Sequence, residues 1–496
     1  MRAYKVDIAF LLIILVYVTI SISVSLTKMP SSDEAWFASP AINLVREGRM
    51  GVTVKEATGT LWLRMDEHTY WQPPMHFLAQ AAWYRIFGVG LLSGRFLSTL
   101  WGILALVSVF FILKILTKSE FTALLGALLL AVDHHFINSA TDIRMDMMCV
   151  AFALAGYASY LLLREKNLSA AMLIGNTGIA ISGFTHPHGI VHFVGFVVLV
   201  VYLDRKNIRL NHVILGIIPY LAGAIGWGLY ILQDPEAFRV QFLEHVMRTV
   251  SAKNGIFGAI KREVVERYLY GYGIYSTASL ISRARVLILI GYILGVVGAV
   301  AQMRKGRKRN DLNLLLILLM LYIVLQTFLI GEKSQNYLVH ALPFYAMILA
   351  TTASQFLGGS RITKTVTATA LVIFVLLQLG ISARSVLRDD YRSVYLPIIK
   401  EIGKLDTGTN TIMGSGELAF RLGFRPEFVD DPALGYFSGR EPDVIVVTPI
   451  YEDWFEVFER QRPDLYEYIR YITEEECEVV CEGSDFKIYR RLAHDG

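Results

Sequence analysis

Charge is scarce in this 496-residue chain. Asp, Glu, Lys and Arg make up 18% of it, against about 25% in soluble domains. Hydrophobic residues reach 54% and the mean hydropathy is +0.46. Together these exclude an ordinary soluble domain and indicate a multi-span membrane protein with some water-exposed mass. The net charge of +4 is too small to mark a nucleic-acid binder. Cysteine is rarer still, with three residues. Cys149 lies in an apolar run, and Cys477 and Cys481 lie in the strand-like "ECEVVCEG". An extended segment holds that pair about 13 Å apart, too far for a disulfide. No internal repeat of the transporter kind is visible. The start, "MRAYKVDIAFLLIILVYVTISISVSL", is basic but runs on for about 20 apolar residues with no clear cleavage site, so it reads as a retained anchor.

What is present is a series of apolar runs long enough to cross a bilayer. They fall near 7–26, 91–113, 121–138, 145–163, 168–184, 189–203, 212–232, 286–303, 312–330, 337–357 and 365–383, about 11 spans of α-helix. Short basic connectors separate them: "RAYK", Lys114 with Lys118, "REK", "DRKNIR", "RKGRKR" and "RITK". The positive-inside rule puts these in the cytoplasm. All of them share one side only if residues 73–88 do not cross. That stretch is short, carries Arg85 and lies among Trp71 and Trp83, as an interfacial helix would.

The opposite side then receives every chemically informative segment. These are the first loop (27–90), "DHHFINSATDIR", "THPHG", a segment over 233–285, "GEKSQN" and a tail from about 385. In the tail, "NTIMGSG", "DVIVVTP" and "DFKIYRR" read as strands, and "SVYLPIIKEIGKL" and "DWFEVFERQRPDLYEYIRYI" as helices. The expected organisation is a transmembrane catalytic domain over 1–384 and a small extracytoplasmic α/β domain over 385–496.

Several constellations have chemistry to offer. Asp33 and Glu34 open a helix-like segment. Ser32 or Asp33 can simply cap it, or the acids can serve as bases tuned by burial. In "HTYWQPPMHF", Gln72 and His76 flank a Pro-Pro pair that suits a helix start, although an interfacial aromatic belt accounts for Tyr70 and Trp71 equally well. Asp142, Arg144 and Asp146 stand at alternate positions. A helix starting near 141 puts both acids on one face and Arg144 on another, and Asp146 meets the apolar run at membrane depth, where ionisable residues are usually functional. His134 and His135 with Asp142 and Asp146 are candidate ligands for a divalent metal of unspecified identity. His186 and His188 sit around a turn. Lys333, with Tyr337 and His340 one helical turn apart, either snorkels or holds a phosphate. Arg248, Lys253 and Arg267 are spare phosphate or acceptor contacts, and the Tyr/Gly-rich end of their segment is a candidate substrate flap.

The stretches "DEAWFASPAINLVREGRMG", "YWQPPMHFLAQAAWYRIFGVGLLSGRFLSTLWGILAL", "ATDIRMDMMCVAFALAGYASYLLL" and "YLVHALPFYAMILA" resemble the integral-membrane GT-C glycosyltransferases. The nearest branch is that of the protein O-mannosyltransferases and the lipid A aminoarabinose transferase. The resemblance runs over residues 7–360 and is strongest in the first 165. It implies a GT-C-like fold and a hexosyl or pentosyl transferase. Such an enzyme takes sugar from a polyprenyl-phosphate carrier and passes it to a glycan, lipid or protein acceptor on the outer face of the inner membrane. It maps Asp33 onto the general base, with Glu34 beside it. Similar enzymes carry a lysine before the Pro-Pro pair, where this chain has Gln72, so Arg144 or Lys333 is left to supply the cation. Gln72, His76, Arg144, Lys333 and Tyr337 are the donor-phosphate candidates, and Asp142, Asp146, His186, His188 and His340 the further pocket candidates. The rival readings are a flippase of a lipid-linked sugar without catalysis, and a noncatalytic assembly protein whose tail binds a partner.

Overall fold

The computed structural model describes residues 2–57, 62–249, 255–275, 280–304, 310–483 and 485–492. Among these, seven helices are long and apolar enough to cross a membrane. They include α1 (Arg2–Thr27), α4 (Leu91–Thr117), α7 (Met145–Leu163) and α10 (Leu210–Ile231). Between α1 and α4 come two helices of the first loop, α2 (Ser32–Arg46) and α3 (Met75–Phe87). At 13 residues, α3 spans about 20 Å and is too short to cross.

The run expected as one span over 121–138 is broken. The helices α5 (Glu120–Ala131) and α6 (His134–Ala140) meet at 66°. The cause is local: Asp133 takes an extended conformation and its side chain accepts the Phe136 N–H at 2.9 Å, starting a new helix where the old one ends. Three shorter apolar helices, α8 (Leu168–Gly183), α9 (Gly189–Asp204) and Leu342–Leu357, complete the set. Counted with the long helices and the bent pair, they fall on the expected apolar runs one for one. The chain is a multi-pass α-helical membrane protein.

Packing explains which helices are inside. Where α7 crosses α8 the backbones nearly touch. A Cβ on Gly178 would lie 2.7 Å from the Phe152 carbonyl oxygen and 2.8 Å from the Gly156 Cα, so only small residues fit there. By contrast α10 keeps Ile217, Leu221, Ile225 and Leu229 on its outside, an apolar surface suited to lipid tails.

The tail forms a five-stranded sheet in the order β2-β1-β3-β5-β4, with β1 Ile412–Gly414, β2 Phe428–Val429, β3 Val444–Val447, β4 Cys477–Glu482 and β5 Lys487–Arg491. β1 pairs parallel with β2 and β3, while β5 runs antiparallel to both β3 and β4. Because side chains alternate along a strand, the sheet has two apolar faces. Met413, Val429 and Ile445 pack under the helices Pro449–Gln461 and Pro463–Tyr471. Ile412, Phe428, Val444 and Val446 join the core made by α2, α3 and the helix Leu396–Leu405. The sheet therefore sits on the first loop. Cys149, Cys477 and Cys481 are free thiols.

Candidate functional site

The first loop is built around a cap. The Ser31 hydroxyl accepts the Glu34 N–H, and the Glu34 carboxylate accepts the Ser31 N–H at 3.0 Å, the reciprocal pair that fixes a helix start. Glu34 is fully buried. Its two oxygens also take Arg95 Nε at 2.8 Å and Nη2 at 2.7 Å from α4, and the Ile143 N–H at 3.2 Å. Arg95 in turn donates to the Ser25 and Lys28 carbonyls, each at 2.8 Å. Burial alone would raise the Glu34 carboxyl, but the Arg95 guanidinium outweighs it and holds the group below the usual range. Glu34 thus ties α1, α2, α4 and the approach to α7 together.

Asp33, one residue earlier, points the other way. Its side chain is 40% exposed and pairs with Arg144 Nη1. Arg144 is the N-cap residue of α7, not part of a helix begun near 141. That later start changes the expected arrangement: Arg144 faces both Asp33 and Asp146, which accepts its Nε at 3.0 Å, and Asp142 turns away to bind Lys28 Nζ. The Arg144 guanidinium also lies 5.4 Å from the Phe37 ring centroid, and Phe37 stacks on Trp71 at 5.0 Å.

These residues border a cleft of roughly 280 Å³. Asp33, Gln72, Arg144, His186, His188 and Tyr337 all line it, with Trp36, Trp62 and Glu332. Gln72 precedes the prolines that lead into α3, and its Oε1 has no hydrogen-bond partner. The Tyr337 hydroxyl donates to Glu332 at 3.2 Å. His76, Asp146 and His340 stand behind this wall. His76 is buried with neither ring nitrogen bonded, and burial pushes it down to about 4, so it is neutral at pH 7. Burial likewise lowers His186, to about 3.

Lys333 lies elsewhere. It is buried, donates to the carbonyls of Gln326, Thr327 and Ile330, and pairs with Glu263 at 3.1 Å. It closes the C-terminal end of the helix Asn310–Leu329, where free carbonyls attract a cation. Arg267 is also buried, on Glu263 and the Glu332 carbonyl. Lys253 and the side chain of Arg248 fall outside the described residues.

His134, His135, Asp142 and Asp146 do not converge on an ion. His134 binds Gln378 at 2.8 Å and His135 packs on Tyr272, while the two acids engage Lys28 and Arg144. Among the described residues, two other groups have ligand atoms within 4.8 Å of one another: His186, His188 and His340, and Cys149, His192 and His340. In the first, the His186 Nδ1 lone pair is already taken by the His188 N–H at 3.0 Å.

Sequence reading missed Trp36, Lys55, Trp62 and Glu332. Lys55 Nζ sits 3.6 Å from the Trp36 ring centroid, and the Trp36 N–H donates to Asp430 of the tail at 2.9 Å. Glu332 was visible in "GEKSQN" as the neighbour of Lys333. Two largely apolar cavities lie on the membrane side, one of them meeting the cleft. One, about 770 Å³, lies between α8, α10 and the start of α3, and the other, about 780 Å³, between α8, α9 and α10. Phe184 lines both, and Pro187 lines the second cavity and the cleft.

Residues 71–229 match the family model described as dolichyl-phosphate-mannose-protein mannosyltransferase. No curated protein matches the sequence. Solved structures match the fold along nearly all of it. ArnT from Cupriavidus metallidurans bound to undecaprenyl phosphate is 14% identical, with a TM-score of 0.61 over 97% of this chain and 98% of that one. The fold is that of the GT-C membrane glycosyltransferases. Within the GT-C fold the chain is also similar to the archaeal oligosaccharyltransferase AglB from Archaeoglobus fulgidus, solved with an inhibitory peptide and a dolichol-phosphate. That match has 11% identity and a TM-score of 0.56 over 98% of this chain and 74% of that one. The chain thus shares its architecture, tail included, with ArnT.

Proposed function

We propose that the chain is a glycosyltransferase that moves a hexosyl or pentosyl group from a polyprenyl-phosphate donor to an acceptor hydroxyl, with Asp33 as general base. The observation that carries the reading is the Asp33–Arg144 pair. It sets an accessible carboxylate against a buried guanidinium in the wall of a cleft that meets an apolar cavity at Pro187. A phosphate-linked sugar brings its own leaving group, so the protein must hold the departing phosphate and deprotonate the nucleophile. Arg144, with Gln72 and Tyr337 as neutral donors, takes the phosphate. Asp33, released from Arg144 by that competition, takes the acceptor proton. The acceptor oxygen bonds to the anomeric carbon as the carbon–phosphate oxygen bond breaks, and one such displacement inverts the anomeric centre. The carrier's isoprenoid tail lies in the cavity that meets the cleft at Pro187. The ArnT and AglB structures, solved with undecaprenyl phosphate and dolichol-phosphate, support a lipid-phosphate donor for this chain too.

The same reading puts the cleft and the domain over 385–496 on the outer face of the inner membrane, with 1–384 as the transmembrane catalytic domain. The basic connectors support it. The test is transfer of label from polyprenyl-phosphate sugars to a cell-envelope extract by purified protein. Transfer by wild type and not by a folded Asp33→Asn variant is expected. Equal transfer by both would remove Asp33 as the base. Movement of intact donor across liposomes without product would favour a flippase.

A further inference from the structure

A second polar cavity, about 240 Å³, lies apart from the Asp33 cleft. The start of α6, the end of the helix Arg361–Arg388, Arg285 of the helix Leu280–Arg304 and the turn at Gln335 and Asn336 enclose it. Three guanidiniums line it, those of Arg285, Arg384 and Arg388, together with His134 and His135, and no Asp or Glu is among the lining residues. Arg388 is paired with Asp390 just outside.

The cavity is rich in cationic donors and has no carboxylate in its wall. Arg285 Nε and the Ser382 hydroxyl are buried donors with no hydrogen-bond partner. The buried Nε2 atoms of His134 and His135 are also unpartnered; His134 gives its Nδ1–H to the Gln378 amide oxygen at 2.8 Å, so its Nε2 is a lone pair, which a protonated phosphate oxygen can donate to. His134 and His135 are each 8% exposed and Ser382 6%. Orphaned buried polar groups are costly, about 1–3 kcal/mol each, and a native fold keeps them where something binds. Cations collected with free N–H and O–H groups around one void match an anion with several oxygens.

We propose that this cavity binds a phosphate group, as a site separate from the Asp33 cleft. A carboxylate offers two oxygens in one plane, whereas the polar groups here come from three helices and a turn around the void, which a tetrahedral phosphate meets better. The short 3-10 helix Gln335–His340 separates the two sites: Gln335 and Asn336 line this cavity and Tyr337 lines the cleft. Two phosphate-facing pockets thus flank one turn. The phosphate belongs either to an anionic phospholipid headgroup, reached from the membrane, or to a water-soluble or acceptor-borne phosphate. The inference does not depend on glycosyl transfer, since its readout is binding.

The test uses the full chain. In neutral detergent, thermal unfolding is followed with added sodium pyrophosphate. In parallel, nanodiscs of phosphatidylcholine with or without phosphatidylglycerol are compared by melting and by native mass spectrometry. Stabilisation by pyrophosphate identifies a soluble phosphate as the occupant. Stabilisation and retained lipid only with phosphatidylglycerol identify a headgroup. Either effect should weaken as salt rises, and Arg285→Gln should abolish most of it while Arg285→Lys keeps part. No stabilisation by either probe overturns the proposal, and so does an undiminished effect in Arg285→Gln. Arg285→Lys keeps the test valid if the glutamine variant fails to fold.

Discussion

Arg144 stands between two carboxylates that differ in exposure: Asp33 is 40% exposed and Asp146 is 2% exposed. The buried bond to Asp146 fixes the guanidinium, and the exposed contact to Asp33 is the one a phosphate can displace. In the proposed transfer, one arginine couples donor binding to release of the base.

Replacing the exposed partner should affect rate and leave the fold intact. Asp33→Asn is expected to lower sugar transfer about 10²–10⁴-fold, the span of general-base catalysis. Its melting temperature should barely change, because a partly exposed ion pair contributes about 0–1 kcal/mol. Single-turnover transfer beside a thermal melt measures both.

The adjacent acid should behave in the opposite way. Glu34→Gln leaves Arg95 buried without its counter-charge, and breaking such a pair costs about 3–5 kcal/mol. Expression and thermal stability should fall together, and activity per folded molecule should be affected less than in Asp33→Asn. A residual transfer rate in Glu34→Gln as low as that of Asp33→Asn, at equal folded protein, would return Glu34 to the reaction.

That split between neighbours marks where sequence reading stopped. Consecutive residues on a helix point about 100° apart, so one of Asp33 and Glu34 had to turn from the cleft, but the partner that decides which is Arg95, in another helix. The spans were legible because a bilayer demands long apolar runs. The position of Arg144 was not, because it depends on α7 beginning at Met145 instead of four residues earlier. Lys333 read as a phosphate cation because Glu263 is a tertiary contact and the Gln326, Thr327 and Ile330 carbonyls reach it only when the chain folds back over the helix end. β2, with two residues, is too short to leave a periodic signal.

Stability should depend on pH through His76. The unfolded imidazole takes a proton as pH falls through its ordinary value of 6.5, while burial delays that in the fold to about 4. The fold then binds fewer protons than the unfolded chain, so stability present above 6.5 is lost progressively as pH drops toward 4. His186, lowered to about 3 by burial, acts in the same sense. Melts from pH 7.5 to 4.5 should show the decline, with a shallower slope in His76→Gln.

Asp430 should matter for the cleft although it belongs to the tail. It accepts the Trp36 indole, the Gly416 N–H at 3.0 Å and the Tyr451 hydroxyl at 3.1 Å. Asp430→Ala leaves these donors unmatched, at about 1–3 kcal/mol for a buried one. Transfer should fall with membrane insertion unchanged, as protease protection and activity would report. Asp430→Asn, which keeps the acceptor oxygen, should recover part of the loss.

The seating of the tail on α2 also sets a timetable for synthesis. The Ser32 hydroxyl donates to Glu417 at 2.6 Å across 385 positions of chain, and Lys55 bridges to Asp430. Every span has been synthesised before either partner is made. A nascent chain therefore enters the membrane with its first loop unsupported, and the loop gains that support only after residue 430 has been made.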